Sequence, residues 1–240
     1  MEKKLLYDTH IHTVEVSPCA HIPAVETVDY YAAHGYDGLI ITDHLHQIFL
    51  DKVGMDKSWD EVIDRYLIGY RAAKQRGDEI GFDVILGAEM TFPDYHNDYL
   101  VYNIDEAWLR AHPWCICQPA KEFFAKYKDE VLFLHAHPCR NGNLTVYEDS
   151  LHGIELINAN PRQENYLERA LELAKRHPEY CLTAGSDMHV QEDRCQGGIL
   201  CDHHITNSFE YAELIRSGEY DLYSPENQEY VDAFHEMRGK

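Results

Sequence analysis

The stretch that decides the fold is KLLYDTHIHT, which covers residues 4–13. Its largely apolar first half leads directly into a polar half that carries His10 and His12. A short apolar run of this kind is typical of a buried strand. Because side chains two residues apart point to the same face of a strand, both imidazoles can reach one ion from the end of that strand.

The same order of an apolar run and then a polar cluster recurs four times further along the chain. The clusters are Thr42-Asp43-His44, Gly87-Ala88-Glu89, His135-Ala136-His137-Pro138 and Ser186-Asp187-Met188-His189. Predicted strands alternate with helical segments, which favours a parallel sheet or barrel with its active site at the carboxyl ends of the strands. Imidazoles and carboxylates together are ligands of Zn, Mn or Fe, so the sequence predicts a hydrolase with several metal ions.

The spacing of these clusters strengthens the prediction of a metal site. A single pair of ligands two residues apart is weak evidence, because 16 histidines in 240 residues make chance pairs frequent. Three such pairs end predicted strands here, at residues 10 and 12, 135 and 137, and 187 and 189. Together with a Thr-Asp-His and a Gly-x-Glu cluster in the same setting, they indicate one shared site.

Length, charge and composition narrow the class of protein. A chain of 240 residues without a Gly- or Ser-rich linker suits one α/β domain over residues 1–240, with a C-terminal arm from about residue 219. The net charge of −21 disfavours long nucleic acids and anionic membranes as partners. Seven cysteines, no visible secretory signal and no apolar run of membrane-spanning length predict a cytoplasmic protein with free thiols. The oligomeric state stays open.

The segments between the clusters are predicted mainly as helices. We expect helices at residues 24–34, 60–76, 105–111, 118–128, 162–176 and 208–217, with glycines 35 and 77 ending the first two. Residues 45–58 are expected to form a polar loop. Further strands are expected at residues 99–102 and 153–157.

The five clusters resemble, in order and approximate spacing, the motifs of the polymerase-and-histidinol-phosphatase (PHP) family. The resemblance extends from residue 8 to residue 189. It implies a distorted (β/α)7 TIM-like barrel with two or three divalent ions at the carboxyl ends of the strands. It usually also implies hydrolysis of a phosphoester.

The resemblance also implies a ligand for each ion. The first ion would take His10, His12, Glu89 and Asp187, and the second would share Glu89 and add His137. Many members place another histidine on the strand after the Gly-x-Glu motif. Asp98 aligns with that position without a gap and is preferred to His96. The third ion would take His44 and His189.

The loop after the first motif departs from the family pattern. Many members carry an Asp or His there as a further ligand of the third ion, where this chain has Ser17 and Pro18. Glu15, Cys19 and His21 remain as possible substitutes for that ligand. Glu15 is preferred because its carboxylate is a hard ligand. Asp43 is expected to orient His44 or cap the loop, and His135 to be buried beside the site.

The predicted chemistry is phosphoester hydrolysis by a hydroxide that two ions share. Glu89, Asp187 and His189 are assigned to catalysis, while Arg140 and Arg194, which closely follow metal motifs, are assigned to phosphate binding. The partner would be a small phosphorylated substrate, whose identity the sequence leaves open. Two alternatives remain: an amidohydrolase-like C–N hydrolase and a non-catalytic metal-binding domain.

Overall fold

The structure is a computed structural model that describes residues 4–94, 97–142 and 147–239. Among these residues the strands are β1 (Leu5–Ile11), β2 (Gly38–Ile41), β3 (His44–Leu45), β4 (Asp83–Leu86), β5 (Ala88–Thr91), β6 (Asp98–Tyr102), β7 (Leu132–His135), β8 (Gly153–Asn158), β9 (Cys181–Gly185), β10 (Gly198–Cys201) and β11 (Asp221–Tyr223). The α-helices are α1 (Ala24–Ala33), α2 (Gln47–Val53), α3 (Trp59–Tyr66), α4 (Ile68–Ile80), α5 (Glu106–Ala111), α6 (Ala120–Tyr127), α7 (Leu167–Arg176), α8 (Ser208–Ser217) and α9 (Gln228–Met237).

The strands form two sheets in a mixed α/β fold. The first sheet has the order β11-β10-β1-β2-β4, and the second has the order β3-β5-β6-β7-β8-β9. β1 pairs in parallel with β2, as do β2 with β4, β3 with β5, β7 with β8 and β8 with β9. The five clusters lie at or just after the carboxyl ends of β1, β2, β4, β7 and β9.

The closed (β/α)7 barrel expected from the sequence is not seen among the described residues. Within the described ranges, short links rather than a continuous ladder join the two sheets. Gly87 donates its N–H to the carbonyl of Ile41 at 2.8 Å between β4 and β5, and a single parallel bridge joins Ile11 to Met188 after β9.

Two segments near the site differ from the sequence prediction. The expected polar loop contains α2, because the His46 ring accepts the N–H of Phe49 at 3.0 Å and caps the helix. The expected long helix breaks at Leu67 into α3 and α4 and ends at Gly81, whose positive φ of 73° suits a C-terminal glycine. Gly77 lies inside α4 instead, where a side chain would meet the Phe82 carbonyl.

The chain on either side of β9 also differs from expectation. α7 starts at Leu167 rather than near residue 162, so residues 159–166 form a loop that reaches the site. The C-terminal arm packs onto the fold, with β11 beside β10 and the Tyr220 hydroxyl donating to the carbonyl of Leu182 at 2.6 Å. None of the helices in the described part of the chain combines the length and the apolar character needed to cross a membrane.

Candidate metal centre

The end of β1 brings two buried imidazoles against two buried carboxylates. His10 Nε2 lies 3.4 Å from Glu89 Oε1 and 3.4 Å from Asp187 Oδ1. His12 Nε2 lies 3.3 Å from Glu89 Oε2 and 3.3 Å from the same Asp187 oxygen. All four side chains are buried. The structure thus brings together the four residues that the sequence assigns to the first ion.

The ligands predicted for the other two ions surround the same carboxylate. His137 Nε2 lies 3.0 Å from Glu89 Oε1 and 3.9 Å from Asp98 Oδ2. His44 Nδ1 lies 2.9 Å from Glu89 Oε2. Three groups have ligand atoms within 4.8 Å of one another: His10, His12 and Glu89; Glu89, Asp98 and His137; and His12, His44 and His189. Glu89 therefore belongs to two of the three groups, and the resemblance implies that it bridges two ions.

Unpartnered polar atoms show that this arrangement fits divalent ions. The buried atoms without a hydrogen-bond partner at the site are His10 Nε2, His12 Nε2, His44 Nδ1, Glu89 Oε2 and Asp187 Oδ1. An unpaired buried polar atom costs about 1–3 kcal/mol, so five in one place need a common partner. Mixed imidazole and carboxylate donors suit Zn, Mn or Fe. Divalent ions at the three groups would supply that partner.

A buried glutamate that the sequence interpretation missed holds two of the ligands. Glu155 Oε1 lies 2.9 Å from His10 Nδ1, and Glu155 Oε2 accepts the His137 N–H at 3.0 Å. Such a contact places the His10 proton on Nδ1 and leaves Nε2 free to bind an ion. The signal in the sequence is one acidic residue inside the apolar run GIELI at residues 153–157.

Asp43 supports the opposite side of the site without entering a ligand group. Its carboxylate accepts from the Thr13 N–H, the Thr13 hydroxyl and the Ser17 hydroxyl, each at 2.7 Å. Ser17 Oγ in turn accepts the His44 N–H at 3.0 Å and lies 3.2 Å from His12 Nδ1. Asp43 therefore fixes the loop after β1 and, through Ser17, the His12 ring and the His44 backbone.

The electrostatics of the site favour ionised carboxylates. Burial alone would raise the pKa of Glu89, but His10 and His44 hold that pKa well below its usual range. Asp187 behaves in the same way, since Arg140 and His10 outweigh its burial and depress its pKa. His135 contrasts with these groups, because burial lowers its pKa to about 3 and its ring packs on Tyr99.

Backbone strain coincides with two of the ligands. His137 and Asp187 have φ values of 32° and 52°, in the left-handed region that side chains other than glycine rarely adopt. Such conformations cost about 1–3 kcal/mol and cluster at functional sites. Here they turn both ligands out of their strands and toward the cluster.

Several residues considered for the third ion lie elsewhere. Both Glu15 carboxylate oxygens lie 3.1 Å from the Ala24 N–H at the start of α1, so the structure does not bring this predicted ligand into any of the three groups. His21 and Cys19 are both exposed, and neither belongs to any of the three groups. His96, the alternative to Asp98, lies outside the described residues.

The two predicted phosphate-binding arginines have different surroundings. Arg140 reaches the cluster and pairs with Asp187. Arg194 instead pairs with Glu26 and lies over the Tyr30 ring, 4.3 Å from its centroid. The structure therefore brings only Arg140 to the metal ligands. In a chain this acidic, an arginine close to a metal motif in sequence can pair with a carboxylate elsewhere, as Arg194 does with Glu26 on α1.

The loop after β9 is held by an ion pair that the sequence did not reveal. Asp193 accepts the N–H groups of His189 and Val190, both at 3.0 Å. The Arg162 guanidinium binds both Asp193 oxygens, at 2.6 Å and 2.7 Å. This two-point contact fixes the backbone that presents His189.

Comparison with known proteins finds matches by structure but none by sequence. No family sequence model matches the chain, and no curated protein matches it. One solved structure is a two-domain protein from Bacteroides vulgatus that contains a predicted PHP-like metal-dependent phosphoesterase. It matches with a TM-score of 0.69 at 14% identity over 98% of this chain and 70% of that chain. This chain shares its fold with that protein. The resemblance expected from the motifs is thereby confirmed.

Other solved structures also share a fold with this chain. PsfC from Pseudomonas syringae matches with a TM-score of 0.62 at 14% identity, over 99% of this chain and 97% of that chain. An amidohydrolase from Chromobacterium violaceum, solved with bound sulfate and no metal, has a TM-score of 0.55 at 15% identity. That match covers 93% of this chain and 99% of the amidohydrolase. At these identities the likeness concerns the fold.

Proposed function

We propose that this protein is a metal-dependent phosphoesterase that hydrolyses a small phosphomonoester or phosphodiester. The observation that carries the proposal is the set of unpartnered ligand atoms around Glu89, with the Arg140 guanidinium beside them. The match to a protein with a predicted PHP-like metal-dependent phosphoesterase supports it. We further propose a cytoplasmic location, since all seven cysteines are free.

Each ligand group would hold one ion. His10, His12 and Asp187 would bind the first together with Glu89, which also faces the second. Bound divalent ions lower the pKa of water to about 7 and neutralise charge on phosphoryl oxygens. The protein's own part is to fix these ligands through Glu155, Asp43 and Asp193, and to add a cation for the substrate.

Arg140 is oriented to be that cation. Its Nε donates to Asn165 Oδ1 at 3.0 Å, and its Nη2 donates to Asn158 Oδ1 at 2.9 Å and to Asp187. Nη1 has no hydrogen-bond partner within the described ranges and remains available to an anion. Because the asparagines hold one edge of the guanidinium, little side-chain freedom is lost when the other edge binds phosphate.

Replacing Arg140 with Ala is expected to weaken phosphate binding and turnover. A charge-assisted hydrogen bond contributes roughly 1.5–3 kcal/mol, which is about 10- to 150-fold in kcat/KM. Arg140→Lys should restore only part of the loss, because an ammonium cannot keep the planar contacts. The measurements are kcat/KM and inhibition by inorganic phosphate, with Arg194→Ala as the matched control. Wild-type values of kcat/KM and of phosphate inhibition in Arg140→Ala would contradict the proposed role of Arg140 in phosphate binding.

The proposed function is tested with a substrate panel on protein loaded with Zn, Mn or Fe. The panel contains small phosphomonoesters, phosphodiesters and, because one similar structure is an amidohydrolase, amides and cyclic ureides. We expect hydrolysis of at least one phosphoester and none of the C–N bonds. Cleavage of C–N substrates alone would establish the amidohydrolase alternative. A loaded protein inactive on every class would favour the non-catalytic alternative.

A further inference from the structure

Asn158, the last residue of β8, lies between the glutamate that orients a metal ligand and the proposed phosphate-binding arginine. Only 2% of its surface is exposed. Its Nδ2 donates to Glu155 Oε2 at 2.9 Å, and its Oδ1 accepts from Arg140 Nη2 at 2.9 Å. The two halves of one amide therefore serve two charged groups of opposite sign.

The orientation of this amide follows from its neighbours. Besides the guanidinium, its oxygen accepts the Asn160 N–H at 3.2 Å and an N–H of Asn165 Nδ2 at 3.2 Å. If the oxygen and nitrogen of the amide were exchanged, donors would face donors and a carbonyl would face the Glu155 carboxylate. The position thus needs a donor on one side and an acceptor on the other, which an asparagine side chain supplies.

These contacts close a ring that passes through the candidate metal centre. Glu155 Oε1 lies 2.9 Å from His10 Nδ1, and His10 Nε2 lies 3.4 Å from Asp187 Oδ1. Asp187 pairs with Arg140, which returns to Asn158. His10 and Asp187 are both proposed ligands of the first ion. The ring therefore joins two metal ligands to the cation proposed for the substrate phosphate.

We propose that Asn158 is a positioning residue for this site, which aligns the ligand His10 through Glu155 and aligns Arg140 directly. The inference rests on the proposed function, because that function assigns Arg140 to the substrate phosphate. Loss of the Asn158 amide should lower both ion affinity and phosphate affinity. Loss of a residue that holds only the arginine should lower phosphate affinity alone.

Replacing Asn158 with Leu, which has a similar shape and no polar side-chain atom, tests both contacts in the full-length protein. Zn²⁺ affinity is measured by competition with a chromophoric chelator, and it should fall about 10- to 100-fold, as when the partner of a metal ligand is lost. Affinity for inorganic phosphate is measured by calorimetry at a Zn²⁺ concentration that saturates both proteins. It should fall roughly 10-fold, since one hydrogen bond to the guanidinium is lost.

Two further variants separate positioning from general damage. Asn165 hydrogen-bonds Arg140 Nε and Asn158 rather than Glu155, so Asn165→Ala should weaken phosphate binding and leave Zn²⁺ affinity nearly unchanged. Asn227→Leu is the matched control, because Asn227 is a partly buried asparagine that hydrogen-bonds Ser224 just before α9. It should match the wild type in both affinities.

A double variant decides whether the effect on phosphate passes through Arg140. In the Arg140→Ala background, Asn158→Leu should cost little further phosphate affinity, because the group that it positions is already absent. An equal loss of phosphate affinity in both backgrounds would overturn the proposal. Wild-type affinities for Zn²⁺ and phosphate in Asn158→Leu would also overturn it.

The test does not depend on the leucine variant or on turnover. Asn158→Ala leaves room for a water molecule, so it should show the same pattern with smaller losses, and it replaces Asn158→Leu if that variant does not fold. The expected losses of affinity, together with a substrate panel in which no phosphoester is cleaved, would overturn the proposed function but leave the positioning role of Asn158 standing.

Discussion

Replacing Glu89 with Gln is expected to remove nearly all turnover and at least one bound ion per chain while the fold survives. The two Glu89 oxygens lie within 3.4 Å of His10, His12, His44 and His137, so one side chain serves several ligand groups. The amide keeps the shape of the side chain but loses the charge that two ions would share. Removing one partner of a buried charge cluster costs about 3–5 kcal/mol, which is about 100- to 5,000-fold in ion affinity.

The measurements are metal content per chain, kcat/KM on the best phosphoester and the far-ultraviolet circular dichroism spectrum. Glu213→Gln is the matched control, because Glu213 is exposed on α8 and lies outside the ligand groups. It should match the wild type in all three measurements. Full metal content with a near-normal rate in Glu89→Gln would mean that another residue bridges the ions.

The residues that cluster around Glu89 were predictable because their signals are local. His10 and His12 lie two residues apart at a strand end, and the same spacing applies to Asp187 and His189. Strand periodicity directs His10 and His12 to one face at the end of β1, whereas Asp187 and His189 follow the end of β9 and depend on the left-handed backbone at Asp187. Parallel pairing of distant strands then brings the pairs together, without any information beyond the positions of the strand ends.

The supporting contacts were not predictable from the same signals. Glu155 acts through His10 and the His137 backbone, and that contact depends on how β7, β8 and β1 are placed in space. The different surroundings of Arg140 and Arg194 have the same origin, because the partner of each arginine comes from a distant segment. The closure expected of a barrel also depends on pairing between distant strands, which local signals in the sequence do not specify.

Protons occupy the site when ions do not, and this determines how pH acts on the ion-free protein. Burial lowers the pKa of His10 and of His44, but neighbouring carboxylates outweigh it and raise both values well above the usual range. A group with a raised folded-state pKa stabilises the protein fully below its unfolded pKa, about 6.5 for histidine. That contribution is lost as pH rises through the folded value.

We therefore expect chelation to abolish turnover and to leave a protein whose Tm falls as pH rises above about 6.5. The loaded protein should lack this fall, because ions rather than protons neutralise Glu89 and Asp187, whose depressed pKa values keep them ionised throughout. The difference in Tm between the two forms should thus widen with pH, and adding Zn or Mn back should close it and restore activity.

Thermal unfolding of both forms at several pH values measures this difference in Tm. The exposed His204→Asn variant is a control that should keep the trend, whereas His44→Gln should reduce it. If the Tm of the loaded and ion-free forms changed with pH in parallel, these imidazoles would not exchange protons for ions. Activity that survives verified removal of metal would overturn the metal-dependent mechanism.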